Sequence, residues 1–170
     1  MKILLIAVAA LVLLVLIVVI TGALLPKHHV STRSAHFNAS PDRLFALIAG
    51  PQNWRPEVAK CEDITDGSGR HLQRETNRRN EAMTYELLAS DPPHSIERRI
   101  ATPNLPYSGS WTFTLTPADT GTVVRITEDG EVYNPVFRFT SRFILGETAT
   151  IDAYLRALGK VTNQEVKIEN

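Results

Sequence analysis

Residues 107–135 read YSGSWTFTLTPADTGTVVRITEDGEVYNP, and the fold follows from this stretch. Tyr107, Gly109, Trp111, Phe113 and Leu115 alternate with Ser108, Ser110, Thr112 and Thr114. A period of two marks a half-buried strand, apolar on one face and polar on the other. Asp119-Thr120-Gly121 is turn chemistry, after which Val124, Ile126 and Glu128 share one face of a second strand. Asn134-Pro135 ends the pair with a helix start, and a long helical pattern follows, carrying Phe139, Phe143, Ile151, Tyr154, Leu155 and Leu158. Gly146 sits inside that pattern and is expected to bend it.

Upstream, turn residues recur at Gly67-Ser68-Gly69, Arg79-Asn80, Asp91-Pro92-Pro93 and Pro103–Pro106. Together with Asp119–Gly121 they divide Ala59–Tyr133 into six strands, an antiparallel meander. Val30–Phe37 reads as one further strand. Ser40-Pro41-Asp42-Arg43 reads as a helix start, with a side-chain cap, proline at the first helical position and an acid near the positive end. Leu44, Leu47 and Ile48 form that helix's apolar face, Gly50-Pro51 ends it, and Pro51–Val58 suggests one more helical turn. A sheet of this length must cover one face, and the final helix is the large apolar element available. The reading is α+β: a six- to seven-stranded antiparallel sheet curled around a long C-terminal helix.

The first 25 residues are of another kind. Ile3–Ile20 is unbroken apolar sequence, and Lys2 is the one charged residue in Met1–Leu25. As a helix, residues 3–25 would span roughly 35 Å, against a hydrocarbon core of about 30 Å. A secretory signal has an apolar region of about 7–15 residues and a small-residue cleavage site. This run is longer, and Thr21-Gly22-Ala23 is a poor match to such a site. The segment is expected to be a retained single-pass transmembrane anchor, residues 1–25, with 26–29 as linker, 30–166 as the folded domain and 167–170 as a tail. Lys2 on one flank against Lys27 and Arg33 on the other is close to balanced, so charge assigns no side of the membrane.

Of 170 residues, 18 are Lys or Arg and 18 Asp or Glu; residues 26–170 hold 17 of the bases and all 18 acids. That balance supplies no positive field for nucleic acid. A single cysteine, Cys61, excludes an internal disulfide and any Cys-x-x-Cys pair. The five histidines lack partners at ligand spacing, so no metal and no cofactor are expected.

Ala39-Ser-Pro-Asp-Arg-Leu-Phe-Ala-Leu-Ile48 resembles the opening helix of the polyketide cyclase/dehydrase-like branch of the START/Bet v 1 (SRPBCC) superfamily, and Trp54 with Pro56 resembles the stretch that follows it. Thr122–Pro135 is similar to that family's last strand and its entry to the long helix. Gly146–Leu155 is similar to the helix itself. The resemblance covers nearly all of residues 30–166. It implies a helix-grip fold with a deep cavity for a hydrophobic ligand, in a superfamily whose members range from lipid and quinone carriers to aromatic cyclases.

Alternation names the residues that would line such a cavity: Met83 and Tyr85, Ile96 and Arg98, Trp111 and Phe113, and Glu128. Arg98 and Glu128 are charges on an otherwise apolar face, costly there unless paired or bound to a ligand's polar head. Each is weighed against a structural ion pair, and the aromatics against ordinary core packing. Arg70, Arg74, Arg78 and Arg79, grouped around one hairpin with Glu75 and Glu81, are read as a solvated tip or a weak site for anionic lipid. The expected function is a membrane-anchored binding protein for a hydrophobic small molecule or lipid. A cyclase-like enzyme using Glu128, Tyr85 or Arg98, and an interaction module without a small ligand, are the alternatives.

Overall fold

The computed structural model describes residues 1–170. Helix α1 (Lys2–Leu24) is apolar on all sides and long enough to cross a membrane. Only Leu25–Lys27 separate it from β1 (His28–Phe37). Helix α2 (Pro41–Ala49) starts as the sequence predicts: the Ser40 hydroxyl accepts a hydrogen bond from the Arg43 N–H, and Leu44 and Ile48 are buried on its inner face. A 3-10 turn (Gln52–Trp54) leads into β2 (Val58–Thr65). There follow β3 (His71–Asn77), β4 (Ala82–Asp91), β5 (Ser95–Ile100), β6 (Tyr107–Ala118) and β7 (Gly121–Val132). Helices α3 (Pro135–Thr140) and α4 (Ala149–Val161) come next, and β8 (Ile168–Glu169) ends the chain.

The strands form one antiparallel sheet in the order β2-β3-β4-β5-β6-β7-β1-β8. The six-strand meander and the added first strand are as the sequence predicts. The sheet also runs past the expected limits of 30–166 at both ends. His28 and His29 pair with Glu131 and Gly130, and Ile168 pairs with Ala35. Strand β1 would otherwise expose a row of unpaired backbone groups, and β8 covers part of it.

The core lies between the sheet's concave face, α2 and α4. Phe37, Leu44, Ile48, Ile96, Phe113, Ile126, Ile151, Leu155 and Leu158 are all buried in it. This is a sheet gripping a helix, the helix-grip arrangement.

The expected long helix is not one helix. Gly146 adopts φ +84°, which no helix continues through. Between α3 and Gly146 the chain winds as a π-helical turn, Ser141–Leu145, so the sequence's bend is a full break. The break releases Phe143, Ile144 and Leu145 from the core, where the predicted apolar stripe would have placed Phe143. Helix α3 packs instead on the end of α1. Gly22 is buried there, and a Cβ on it would collide with the Pro135 carbonyl.

The arginines do not form one patch. Arg70 lies before β3 and Arg78-Arg79 after it, at opposite ends of a seven-residue strand. Arg70 pairs with Asp66, while the Arg78 Nε–H donates to the Pro56 carbonyl. Glu75 is not at the tip at all but buried on the inner face.

A candidate ligand-binding cavity

The floor of the site is built from the end of α2. The buried Gln52 amide donates to the Ile48 and Gly50 carbonyls, and the Trp54 indole N–H donates to Leu47. These bonds satisfy helix-end carbonyls that would otherwise be orphaned, and they fix the direction in which Arg55 leaves the turn. The Arg55 guanidinium lies over the Tyr154 ring at 5.2 Å from its centroid. Its Nη1 is 2.9 Å from Glu75 Oε2, and Glu57 holds its other edge at 2.7 Å. On the far side of Glu75 stands Arg98 Nη1, 3.8 Å from Oε1. Arg98 also donates to Gln73 Oε1 and the Ile48 carbonyl and lies over Phe113.

Above this floor is a cavity of about 770 Å³, inside the range of about 300–1,000 Å³ usual for small-molecule sites. Its sheet wall is Met83, Tyr85, Tyr107, Trp111 and Phe113. Its helix wall is Ala149, Thr150 and Ala153, small side chains on the turns of α4 where Ile151, Leu155 and Leu158 face the core instead. The space exists because one helix carries bulk on its core face and little on the neighbouring one. Leu25–Lys27, Phe137, Ser141 and Leu145 also border the cavity, and the exposure of Pro26, Lys27, Phe137 and Leu145 marks an open side, its mouth.

Of the residues that alternation selects, Met83, Tyr85, Arg98, Trp111, Phe113 and Glu128 border this cavity. Ile96 does not: it is 1% exposed and packs in the core below the floor. Arg98 and Glu128 share the cavity without pairing. Glu128 accepts the Trp111 indole N–H at 2.9 Å and stands 3.3 Å from His29 Nε2. Near the mouth it therefore orients a wall residue, whereas Arg98 belongs to the floor.

Arg55, Glu75 and Tyr154 are floor residues that alternation alone does not select. Register carries the missing signal for Glu75, which lies opposite Met83 across β3 and β4 and so faces the same way. Arg55 leaves a 3-10 turn, where no periodicity exists to read.

The floor is electrostatically unusual. Burial pushes the Glu75 carboxyl above its ordinary value of 4.5, opposed by Arg55 and Arg98. Its Oε1 is buried with no hydrogen-bond donor. Burial likewise raises the Tyr85 hydroxyl well above 10, and the Tyr154 hydroxyl to about 12, so both are neutral hydrogen-bonding groups. Tyr154 donates to Gln52 Oε1, but Tyr85 finds only the Met83 sulfur. The floor therefore holds an acceptor without a hydrogen bond, Glu75 Oε1 beside Arg98, and a weakly engaged donor, Tyr85. No group of three or more His, Cys, Asp or Glu side chains is arranged to hold a metal ion.

Solved structures with this fold support the architecture. Protein MLL2253 of Mesorhizobium loti superposes with a TM-score of 0.60 at 16% identity, over 79% of this chain and 97% of that one. Norcoclaurine synthase of Thalictrum flavum gives 0.59 at 17%, over 81% and 88%. The di-domain aromatase/cyclase BexL of the BE-7585A biosynthetic pathway gives 0.63 at 14%, over 86% of this chain and 53% of its own two-domain length. At these identities the likeness is one of fold. Comparison with curated proteins gives no significant sequence match. The family model described as polyketide cyclase / dehydrase and lipid transport matches residues 28–162, from the first residue of β1 to just past α4. The chain belongs to the polyketide cyclase/dehydrase and lipid transport family.

Proposed function

We propose that this protein is a membrane-anchored binder of a hydrophobic small molecule or lipid, with α1 as the anchor and the β1–β8 sheet with its helices as the binding domain. The ligand's apolar body lies against Tyr85, Trp111 and Phe113, and its polar head meets Arg55, Glu75 and Arg98. The observation that carries this reading is the buried Glu75 Oε1, an acceptor without a donor at the bottom of an apolar cavity. An unmet buried acceptor costs about 1–3 kcal/mol, which a ligand hydroxyl placed there would relieve. The chemistry favours a head that donates one hydrogen bond to Glu75 and accepts one from Tyr85 or Arg98, such as an alcohol, phenol or enol.

Native mass spectrometry of the full chain released from gentle detergent, with organic extraction of the same sample, tests this. A bound hydrophobic species of defined mass is the expected result. A bare chain that takes up nothing from an alcohol, quinone and fatty-acid library would refute it.

A second reading, catalysis, draws on the same carboxyl. A buried acid held above its ordinary pKa beside an open cavity is placed to move a proton. Conversion, rather than retention, of a library member would favour it over carriage.

A further inference from the structure

On α1 and its C-cap residue Leu25, the positions shielded from solvent are Val18, Thr21, Gly22 and Leu25, spaced i, i+3, i+4 and i+7 on one face. Helix α3 is the element packed there. It is tied in place by the buried Arg138, whose guanidinium donates to the Leu25 carbonyl at 2.8 Å, and by the close approach of Gly22 to Pro135. From Leu25 back to Val18 is about 10 Å along the axis. Helix α1 exceeds a hydrocarbon core of about 30 Å by only a few ångströms. An element docked as far down as Val18 is therefore below the headgroups.

What α3 and the π-helical turn present outward suits that depth. Phe143, Ile144 and Leu145 are 59%, 68% and 66% exposed, and Val136 and Phe137 are exposed beside them. Phe139 packs on Phe143 with ring centroids 4.9 Å apart and ring planes tilted by 48°. The exposed cations nearby are Lys27, three residues past α1, and Arg142, which is paired with Glu147 and long enough to reach from the turn toward headgroups. The same segment borders the cavity, through Phe137, Ser141 and Leu145.

We propose that Pro135–Leu145 is an interfacial membrane element, embedded beside α1, that opens the cavity onto the bilayer rather than onto water. The partner is a phospholipid bilayer, recognised through aromatic and aliphatic side chains beneath a cationic rim. The proposal rests on α1 crossing the membrane, and it assigns the route by which a hydrophobic ligand reaches the floor.

The test uses the full chain in phosphatidylcholine vesicles, with Cys61→Ser removing the native thiol. A nitroxide is placed at Ile144→Cys, and at Ser68→Cys in the exposed β2–β3 turn as a control. At residue 144, collisions with oxygen should exceed those with a water-soluble nickel complex several-fold, and at residue 68 the order should reverse. A residue-144 probe that behaves like residue 68 would overturn the proposal and leave cavity binding, read by mass spectrometry, unaffected. Failure to find a ligand in that assay would leave the membrane depth standing. A purified protein whose intact mass lacks residues 1–25 would overturn the proposal together with the anchor.

Discussion

Arg98 stands 3.8 Å from the one oxygen of Glu75 that no donor reaches, while Arg55 holds the other oxygen at 2.9 Å. The carboxylate is thus flanked by two arginines, hydrogen-bonded to one and only ion-paired with the other, and its Oε1 is buried without a hydrogen bond.

Replacing Glu75 exposes the sign of its burial. Below pH 4.5 the carboxyl is neutral in both folded and unfolded chains, and burial carries no penalty. As pH rises through the higher folded value, the unfolded chain ionises first and the folded state loses stability relative to it. Glu75→Gln removes this dependence, so its Tm relative to wild type should move upward between pH 4 and pH 7. Thermal melts of the two proteins across that range check it, and movement the other way would mean that the two arginines outweigh burial.

Arg98→Met should weaken both fold and ligand. Arg98 is 10% exposed and engages Gln73, Glu75 and the Ile48 carbonyl. Removing one member of a buried charged set costs about 3 kcal/mol. Denaturant unfolding measures that loss, and ligand retention should fall at least tenfold at temperatures where the variant is still folded. Unchanged retention would remove Arg98 from the site.

Ala153→Leu should separate binding from folding. Ala153 borders the cavity on α4 rather than packing in the core. The larger side chain has open space to enter, so the Tm should stay within a few degrees while ligand retention is lost. A large fall in Tm would show that the helix wall has no room to spare.

Trp111→Phe removes the indole N–H that reaches Glu128. The expected cost is about 1.5–3 kcal/mol, that of one hydrogen bond to a charged partner. In the wild type, ligand uptake should shift Trp111 emission to the blue, and the variant should lose that component.

Gly22→Leu should undock α1 from α3, because the new side chain meets the Pro135 backbone. Limited proteolysis at Leu25–His28 should become faster, while melting of the sheet domain should not change. A cleavage rate equal to wild type would mean that the helices separate without strain.

What the sequence reveals depends on periodicity. The alternation in Tyr107–Tyr133 gives the inward face of β6 and β7 correctly, and Ser40-Pro41 gives the start of α2 to the residue. Six of the seven residues selected for the cavity border it. Ile96 differs because alternation tells which face a residue occupies but not how far along the strand the core ends and the cavity begins. Glu75 is hidden because its setting among four arginines and Glu81 looks solvated, and only the pairing of β3 with β4 turns it inward. Gly146 is visible as a glycine, but its positive φ is a property of the folded backbone. The two-residue β8 carries no pattern and exists because β1 leaves an edge for it.

The connection between α1 and β1 has a kinetic meaning. Leu25–Lys27 span at most about 10 Å when extended, and Arg138 fastens the first of them to α3. With α1 in a bilayer, the domain on so short a leash keeps one orientation, its cavity mouth always beside the same leaflet. A ligand dissolved in that leaflet then meets the mouth by lateral diffusion in two dimensions. Uptake should accordingly scale with the ligand's mole fraction in the membrane and not with its concentration in water.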